Sequence, residues 1–312
     1  MIPFEYRTPK NLKEVHSTLK EFGGDAKLVA GGTALVIMMK QRLVRPSCLV
    51  SLRSVRGFNG VEVSDGGLRI GGLATHRSVE GSSLVRRRLP MLAETYHHVA
   101  TLRIRNVATV GGGLAHADPN QDPPPSLIAL GATVKVTSAN GSRVVPLDEF
   151  FKGYYETILN PDEIITEVMV PKPAGNTGAA YIKFLPRTAD DYATVSAAAV
   201  LTLDKTNKTI ADVRIALGSV GETPIRATAA EALLRGQPLK AEAFAEAGEK
   251  AKEAVDPVSD FRGSAAYKKD MAGVFVRRAL EKALADIRQQ AKAKSAPKPA
   301  KKKVAKKKGK KK

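Results

Sequence analysis

The stretch from Asn106 to Pro125, NVATVGGGLAHADPNQDPPP, limits the fold more than any other part of the chain. Glycine, proline, aspartate and asparagine crowd it too densely for a regular helix or strand, yet apolar segments bracket it on both sides. Connections this long are uncommon in compact domains and are usually functional when ordered. Its own apolar residues, Val107, Val110, Leu114 and Ala117, favour order. The reading is a long, ordered loop whose three glycines, Gly111, Gly112 and Gly113, let a ligand approach the backbone.

Around it, short strands alternate with helices. Leu12, Val15, Leu19 and Phe22 fall at helical spacing over 9–22, with Asn11 as a cap and Gly23-Gly24 as a stop. The pattern then predicts a buried strand at 27–30, a helix over 33–43, and strands at 48–51 and 68–72. A short helix capped by Thr75 and another over 89–99 follow. ATVKVTSANGSRVV (132–145) reads as a hairpin turning at Asn140-Gly141, and 163–170 as a further strand. The Pro/Gly-rich PKPAGNTGA (171–179) marks a boundary. Beyond it, strands at 180–185, 193–203 and 210–217 precede helices near 226–235, 240–253 and 264–290. Strands followed by helices predict an α+β unit.

At 312 residues the chain exceeds the ~150 expected per domain, so two or three domains are expected. The net charge of +19 is concentrated at the end: residues 291–312 hold twelve lysines and no acid, leaving +7 on the rest. That tail has too little apolar surface to fold and is expected to be disordered. It suits salt-sensitive, non-specific binding to nucleic acid or an anionic surface, or no fixed partner at all. The one cysteine, Cys48, excludes an internal disulfide, a cysteine-ligated iron–sulfur cluster and a four-cysteine zinc site; its apolar strand pattern predicts an inert buried thiol. No charged and apolar leader opens the sequence. Its longest apolar run, Ala34 to Met39, is far short of the ~18 residues that span a bilayer. A cytoplasmic protein is expected.

Three segments can carry chemistry. KLVAGGTAL (27–35) is strand, diglycine and helix start, where free N–H groups attract a phosphate or pyrophosphate; an ordinary structural turn is the alternative. Neither GxGxxG after a strand nor GxxxxGK[ST] occurs, so the Rossmann and P-loop readings lack their motifs. In the second segment Thr109 can hydrogen-bond a pyrophosphate, and Asp122 can accept from ribose or adenine groups. A metal site on His116, Asp118 and Asp122 is the rival, without HExxH or EF-hand spacing in its favour. In KFLPRTADDYATVS (183–196), Tyr192 can stack on a flat heterocycle and Lys183 can hold an anion or carbonyl oxygen, with ordinary packing as the alternative. His97 and His98 have no serine or cysteine partner. No catalytic nucleophile–base set is identified, and no metal site is expected.

Four ordered segments, AGGTAL (30–35), LRIRNVATVGGGLAHADPNQDPPP (102–125), KFLPRTADDYATVSAAAVLTL (183–203) and IALGSVGETPIRATAAEALLRG (215–236), together resemble one family. It is the FAD-binding medium subunit of the molybdenum hydroxylases, the group of carbon monoxide dehydrogenase and xanthine dehydrogenase. The resemblance covers about residues 1–288. It implies a two-part FAD-binding domain of the vanillyl-alcohol-oxidase type over 1–173, with subdomains at about 1–58 and 59–173. A flavoprotein C-terminal α+β domain, antiparallel sheet plus helices, is implied over 178–290, before the tail at 291–312.

The same resemblance makes Ala30, Gly31, Gly32, Thr33 and Ala34 the first pyrophosphate loop, and Thr109, Val110, Gly111, Gly112 and Gly113 the second. Asp122 matches an acid on the adenosine side; Lys183 and Tyr192 match residues beside the isoalloxazine. Ala34 and Gly113 depart from the polar residues many relatives carry, each removing a side-chain hydrogen bond worth about 0.5–1.5 kcal/mol. The implied partners are a molybdopterin-binding large subunit and a small subunit with two [2Fe–2S] clusters, assembled as (LMS)2. Electrons would pass from those clusters through FAD to an external acceptor. A relative with an additional cysteine-rich cluster loop is disfavoured by the lone Cys48. The alternatives are a basic nucleic-acid-binding protein on a degenerate flavoprotein scaffold, and a free-standing FAD oxidoreductase, which lacks an acid–base set.

Overall fold

The computed structural model describes residues 2–64, 66–185, 188 and 191–295. The Lys-rich stretch 296–312 and residues 186, 187, 189 and 190 lie outside the described residues. The fold is α+β, as expected, and is built on three main sheets.

The first sheet is small and parallel, in the order Glu5–Arg7, Cys48–Ser51, Ala26–Val29. Helix Leu12–Phe22 lies against it, burying Val15 and Leu19 with Cys48 and Val50. Asn11 caps this helix: its side chain accepts from the Glu14 N–H at 3.0 Å, while the Glu14 carboxylate accepts from the Lys10 N–H at 2.7 Å. Cys48 is fully buried, and burial pushes its thiol up, away from reactivity.

The second sheet is antiparallel, in the order Val61–Ser64, Gly67–Gly71, Ile164–Pro171, Thr133–Ser138, Gly141–Pro146. Ser138 pairs with Gly141, so the hairpin turns on Ala139 and Asn140, one residue earlier than the sequence suggests. The third is also antiparallel: Thr177–Phe184, Val195–Leu203, Ile210–Gly218, Ile225–Arg226. Its strands are apolar on both faces because both are covered. Tyr181, Ala198 and Ala216 join the core of the second sheet, whereas Ala180, Ala197, Ala199 and Ile215 pack with Ala279 and Ala283 of the helix Ala265–Ser295.

The segment Asn106–Pro125 is not a loop. Helices Leu102–Val107, Val110–His116 and Pro123–Ala129 occupy most of it. Pro123, Pro124 and Pro125 fill the first turn, where N–H groups have no intrahelical acceptor and proline therefore loses nothing. The expected helix over 33–43 contracts to Leu35–Lys40. Strands Glu5–Arg7 and Val61–Ser64 escape a sequence reading because each is three or four residues long with no fully buried position.

Candidate cofactor site

Strand Ala26–Val29 runs into Ala30, Gly31, Gly32, Thr33 and Ala34, all half-buried, before helix Leu35–Lys40. Among the described residues, the N–H groups of Gly31, Gly32, Thr33 and Ala34 find no acceptor. These four consecutive donors lie in a half-exposed turn that runs into the helix, where N–H groups have no intrahelical acceptor. They suit the oxygens of a pyrophosphate. Gly32 adopts φ +69°, a region that strains any branched side chain. Gly31 is pressed against the next candidate loop: a Cβ there would collide with the Val107 carbonyl and come within 2.9 Å of the Ala108 Cα.

In that second loop the donors are already engaged. The Val110 N–H donates to the Ala74 carbonyl at 2.9 Å, Gly111 to the Gly72 carbonyl at 2.8 Å and Gly113 to the Thr109 carbonyl at 2.9 Å. The Gly112 N–H donates to the Thr109 hydroxyl at 3.2 Å, so Thr109 caps the helix and keeps its own proton to give. Gly111 serves packing, because a Cβ would sit 2.8 Å from the Gly72 carbonyl oxygen. A Cβ on Gly112 would lie 3.8 Å from that of Ala30. The first loop thus supplies free donors and the second a rigid wall beside them.

Asp122 and Lys183 are placed otherwise than the resemblance implies. The C-terminal sheet docks on helix Pro123–Ala129 and brings Lys183 Nζ to 2.9 Å from Asp122 Oδ2, both side chains being almost fully buried. Tyr181 donates its hydroxyl to Asp122 Oδ1 at 2.6 Å, and Lys183 also donates to the His98 carbonyl at 2.9 Å. Both carboxylate oxygens are therefore taken. Asp122 and Lys183 cannot serve opposite ends of one dinucleotide; they form a single cluster joining the two halves of the chain. Burial pushes the Asp122 carboxyl up, and the Lys183 ammonium and Tyr181 hydroxyl pull against it.

Tyr192 is 43% exposed. Burial of its hydroxyl end, and then the neighbouring Asp118 carboxylate, push the phenol up. Asp118 accepts from the N–H and side chain of Asn120, at 2.9 and 3.1 Å. Tyr155 lies nearby, its ring 5.2 Å from that of His116. The Arg262 guanidinium lies over the Tyr192 ring, 5.6 Å from its centre.

Two features went unread in the sequence. Glu80 is buried and accepts from Arg105 Nε at 3.1 Å, His97 Nδ1 at 2.8 Å and Arg77 at 3.0 Å. Although burial pushes its carboxyl up, those three partners hold it below the usual range. Arg105 also donates to the Val99 and Ala100 carbonyls, fixing the turn into helix Leu102–Val107. His76 is the second. It is 5% exposed, its ring centroid lies 5.1 Å from that of Tyr96, and its Nε2 is 3.5 Å from where a Cβ on Gly113 would stand.

Burial pulls the His76 imidazole down to about 4. Its depressed value carries a sign. As pH falls from 6.5 toward 4, the unfolded chain takes up a proton that the folded chain refuses, so stability drops. The expected loss is on the order of 3 kcal/mol by pH 4. Urea denaturation of His76→Gln at pH 7 and pH 4.5 should show a smaller acid loss than the unsubstituted protein. Identical losses would mean that His76 titrates normally.

Residues 2–173 match the family described as "FAD binding domain in molybdopterin dehydrogenase", and residues 180–283 match the "CO dehydrogenase flavoprotein C-terminal domain". The carbon monoxide dehydrogenase medium chain of Hydrogenophaga pseudoflava is 38% identical over 287 residues, covering 91% of this chain and 99% of that one. The nicotine 6-hydroxylase medium subunit of Paenarthrobacter nicotinovorans is 36% identical over 281 residues, covering 89% and 96%. The solved carbon monoxide dehydrogenase from Hydrogenophaga pseudoflava superposes with a TM-score of 0.88 at 40% identity, over 92% of this chain and 99% of that chain. Fold, sequence identity and both domain matches converge: the chain belongs to the FAD-binding medium subunits of the carbon monoxide dehydrogenase and xanthine dehydrogenase family of molybdenum hydroxylases.

Proposed function

We propose that this chain is the electron-relay subunit of a molybdenum-hydroxylase-type dehydrogenase, assembled as (LMS)2 with a molybdopterin-binding large subunit and a [2Fe–2S] small subunit in the cytoplasm. When bound here, FAD would supply the redox chemistry that links the partner's clusters to an external acceptor. The observation that carries this reading is the run of unpaired N–H groups from Gly31 to Ala34 facing the Thr109–Gly113 wall. In this reading Ala30 to Ala34 hold the pyrophosphate, with the Thr109 hydroxyl as a further donor. Val110, Gly111, Gly112 and Gly113 keep the wall close, and Tyr192 covers the isoalloxazine. Lys183 stands near the same end, held by Asp122 rather than opposed to it.

Relatives at 36–38% identity are subunits of enzymes named for carbon monoxide, nicotine and 6-hydroxypseudooxynicotine. Such a spread of substrates on one scaffold argues that this subunit does not select the substrate. Among the described residues, no helix is long and apolar enough to cross a membrane, and no three His, Cys, Asp or Glu side chains cluster as metal ligands.

The test is the flavin itself. The purified protein should carry FAD, seen as flavin absorbance, and a colourless protein that takes up none would refute the reading. Tyr192→Ala should cost about 1 kcal/mol of affinity from the lost ring. Its larger effect should fall on the absorbance envelope and reduction potential, read by potentiometric titration. Unchanged spectra and potentials with FAD fully bound would make Tyr192 ordinary packing.

A further inference from the structure

Three parts of the chain that are far apart in sequence meet at the Tyr192 ring. Asp118, between helices Val110–His116 and Pro123–Ala129, is buried, and its carboxylate accepts the Tyr192 hydroxyl. Asn120 fixes that carboxylate with two hydrogen bonds to Oδ1, at 2.9 Å from its N–H and 3.1 Å from its side chain. From the turn before the helix Ala265–Ser295, Arg262 lays its guanidinium over the Tyr192 ring, 5.6 Å from the centre, and over Phe261 at 4.4 Å.

Arg262 is itself anchored. Its N–H donates to Asp260 Oδ1 at 2.8 Å and its Nη1 to Asp260 Oδ2 at 3.1 Å. Lys268, whose side chain is 4% exposed, reaches the same carboxylate at 2.8 Å and the Val258 carbonyl at 2.9 Å. Asp260 and Gly263 close the turn with two backbone hydrogen bonds, each 3.1 Å. Two cations share one carboxylate, so the turn keeps a net positive charge beside Tyr192. Arg262 Nε is buried without a hydrogen-bond acceptor among the described residues, and the guanidinium plane meets aromatic rings instead. A cation is drawn to the face of an electron-rich ring, and a phenol that donates to a carboxylate is polarised to be richer still.

We propose that Asp118 and Arg262 are positioning residues for the flavin, clamping Tyr192 by its hydroxyl and by one ring face so that the opposite face lies against the isoalloxazine. This rests on the reading above, in which Tyr192 covers that ring system. Tyr192 stands outside helix and strand, just before Val195–Leu203, and is 43% exposed, so these two contacts set its direction. The hydroxyl contact alone is a pivot about which the ring can turn; the guanidinium removes that freedom. Because Arg262 takes one face, a flat partner has a single face left to stack on. A ring already held in place loses little entropy when it is covered.

The experiment uses the complex, with the chain co-expressed with its large and small subunits, and reads flavin absorbance and reduction potential. Arg262→Gln should keep its FAD while its absorbance envelope and potential move in the same direction as those of Tyr192→Ala. The double variant of Arg262→Gln with Tyr192→Ala should match Tyr192→Ala alone, because Arg262 acts through the ring. Shifts that add would mean that Arg262 reaches the flavin without Tyr192, and would overturn the proposal. An unchanged spectrum and potential in folded Arg262→Gln would overturn it as well. Should Arg262→Gln fail to fold, Tyr192→Phe decides: it keeps the ring and loses only the Asp118 contact, so a shift in the same direction is expected and no shift overturns the clamp. Two other results refute the reading beneath the proposal and are told apart from these. Tyr192→Ala without effect would remove Tyr192 from the isoalloxazine, and an unsubstituted complex without flavin absorbance would refute FAD binding itself.

Discussion

Gly31→Ala is expected to lose most of its flavin. The added methyl has nowhere to go, since it would collide with the Val107 carbonyl, a backbone atom that cannot rotate aside. Relief requires the first loop to move away from the second, and separating them dismantles the cradle. Overpacking of this kind costs roughly 1–3 kcal/mol, which on binding is about tenfold to a hundredfold in FAD affinity. Gly24→Ala is the matched control, because a Cβ there meets nothing within 4 Å and the backbone is not left-handed. Fluorescence titration of the flavin-stripped proteins should separate the two variants clearly. Equal affinities would show that the Gly31–Val107 contact has no part in holding the cofactor.

Gly31 also marks the limit of what the chain discloses before it folds. The diglycine between an apolar strand and a helix was legible, because strand, turn and helix start are local patterns. The role of each glycine was not. Gly31 is small to admit another piece of backbone, whereas Gly32 is small to adopt φ +69°, and only the packed structure distinguishes them. The helix Leu12–Phe22 and the three long strands of the C-terminal sheet were readable from apolar spacing alone. Asn106–Pro125 was not, because its glycines and prolines mimic a loop. Tertiary packing calls for a glycine at Gly111, which meets the Gly72 carbonyl, and the prolines occupy a first turn that needs no donors. His76 and Glu80 were missed for a different reason: a lone histidine beside a cap, and a glutamate whose partners lie up to 25 residues away, leave no spacing to detect.

The pairing of Asp122 with Lys183 spans 61 residues and was equally invisible, yet it carries the largest expected effect on stability. Asp122→Ala would leave the Lys183 ammonium buried with the His98 carbonyl as its remaining partner, and would strip the Tyr181 hydroxyl of its acceptor. Removing one member of a buried ion pair costs about 3–5 kcal/mol, because the surviving charge is desolvated without compensation. For a chain of this size, that corresponds to a fall in melting temperature of roughly 10 °C. The diagnostic is the double variant Asp122→Leu with Lys183→Met. If the cost is that of an orphaned charge, replacing both by apolar residues should restore most of the loss, since a buried pair is often no more stable than a hydrophobic one. If instead the damage comes from the Tyr181 hydroxyl left without Asp122, the double variant should melt no higher than Asp122→Ala. Flavin content supplies the functional half of the argument. A restored double variant that binds FAD with an altered potential would mean that the cluster tunes the cofactor through the Lys183 charge. One that binds FAD with an unchanged potential would assign Asp122 and Lys183 to holding the two halves of the chain together.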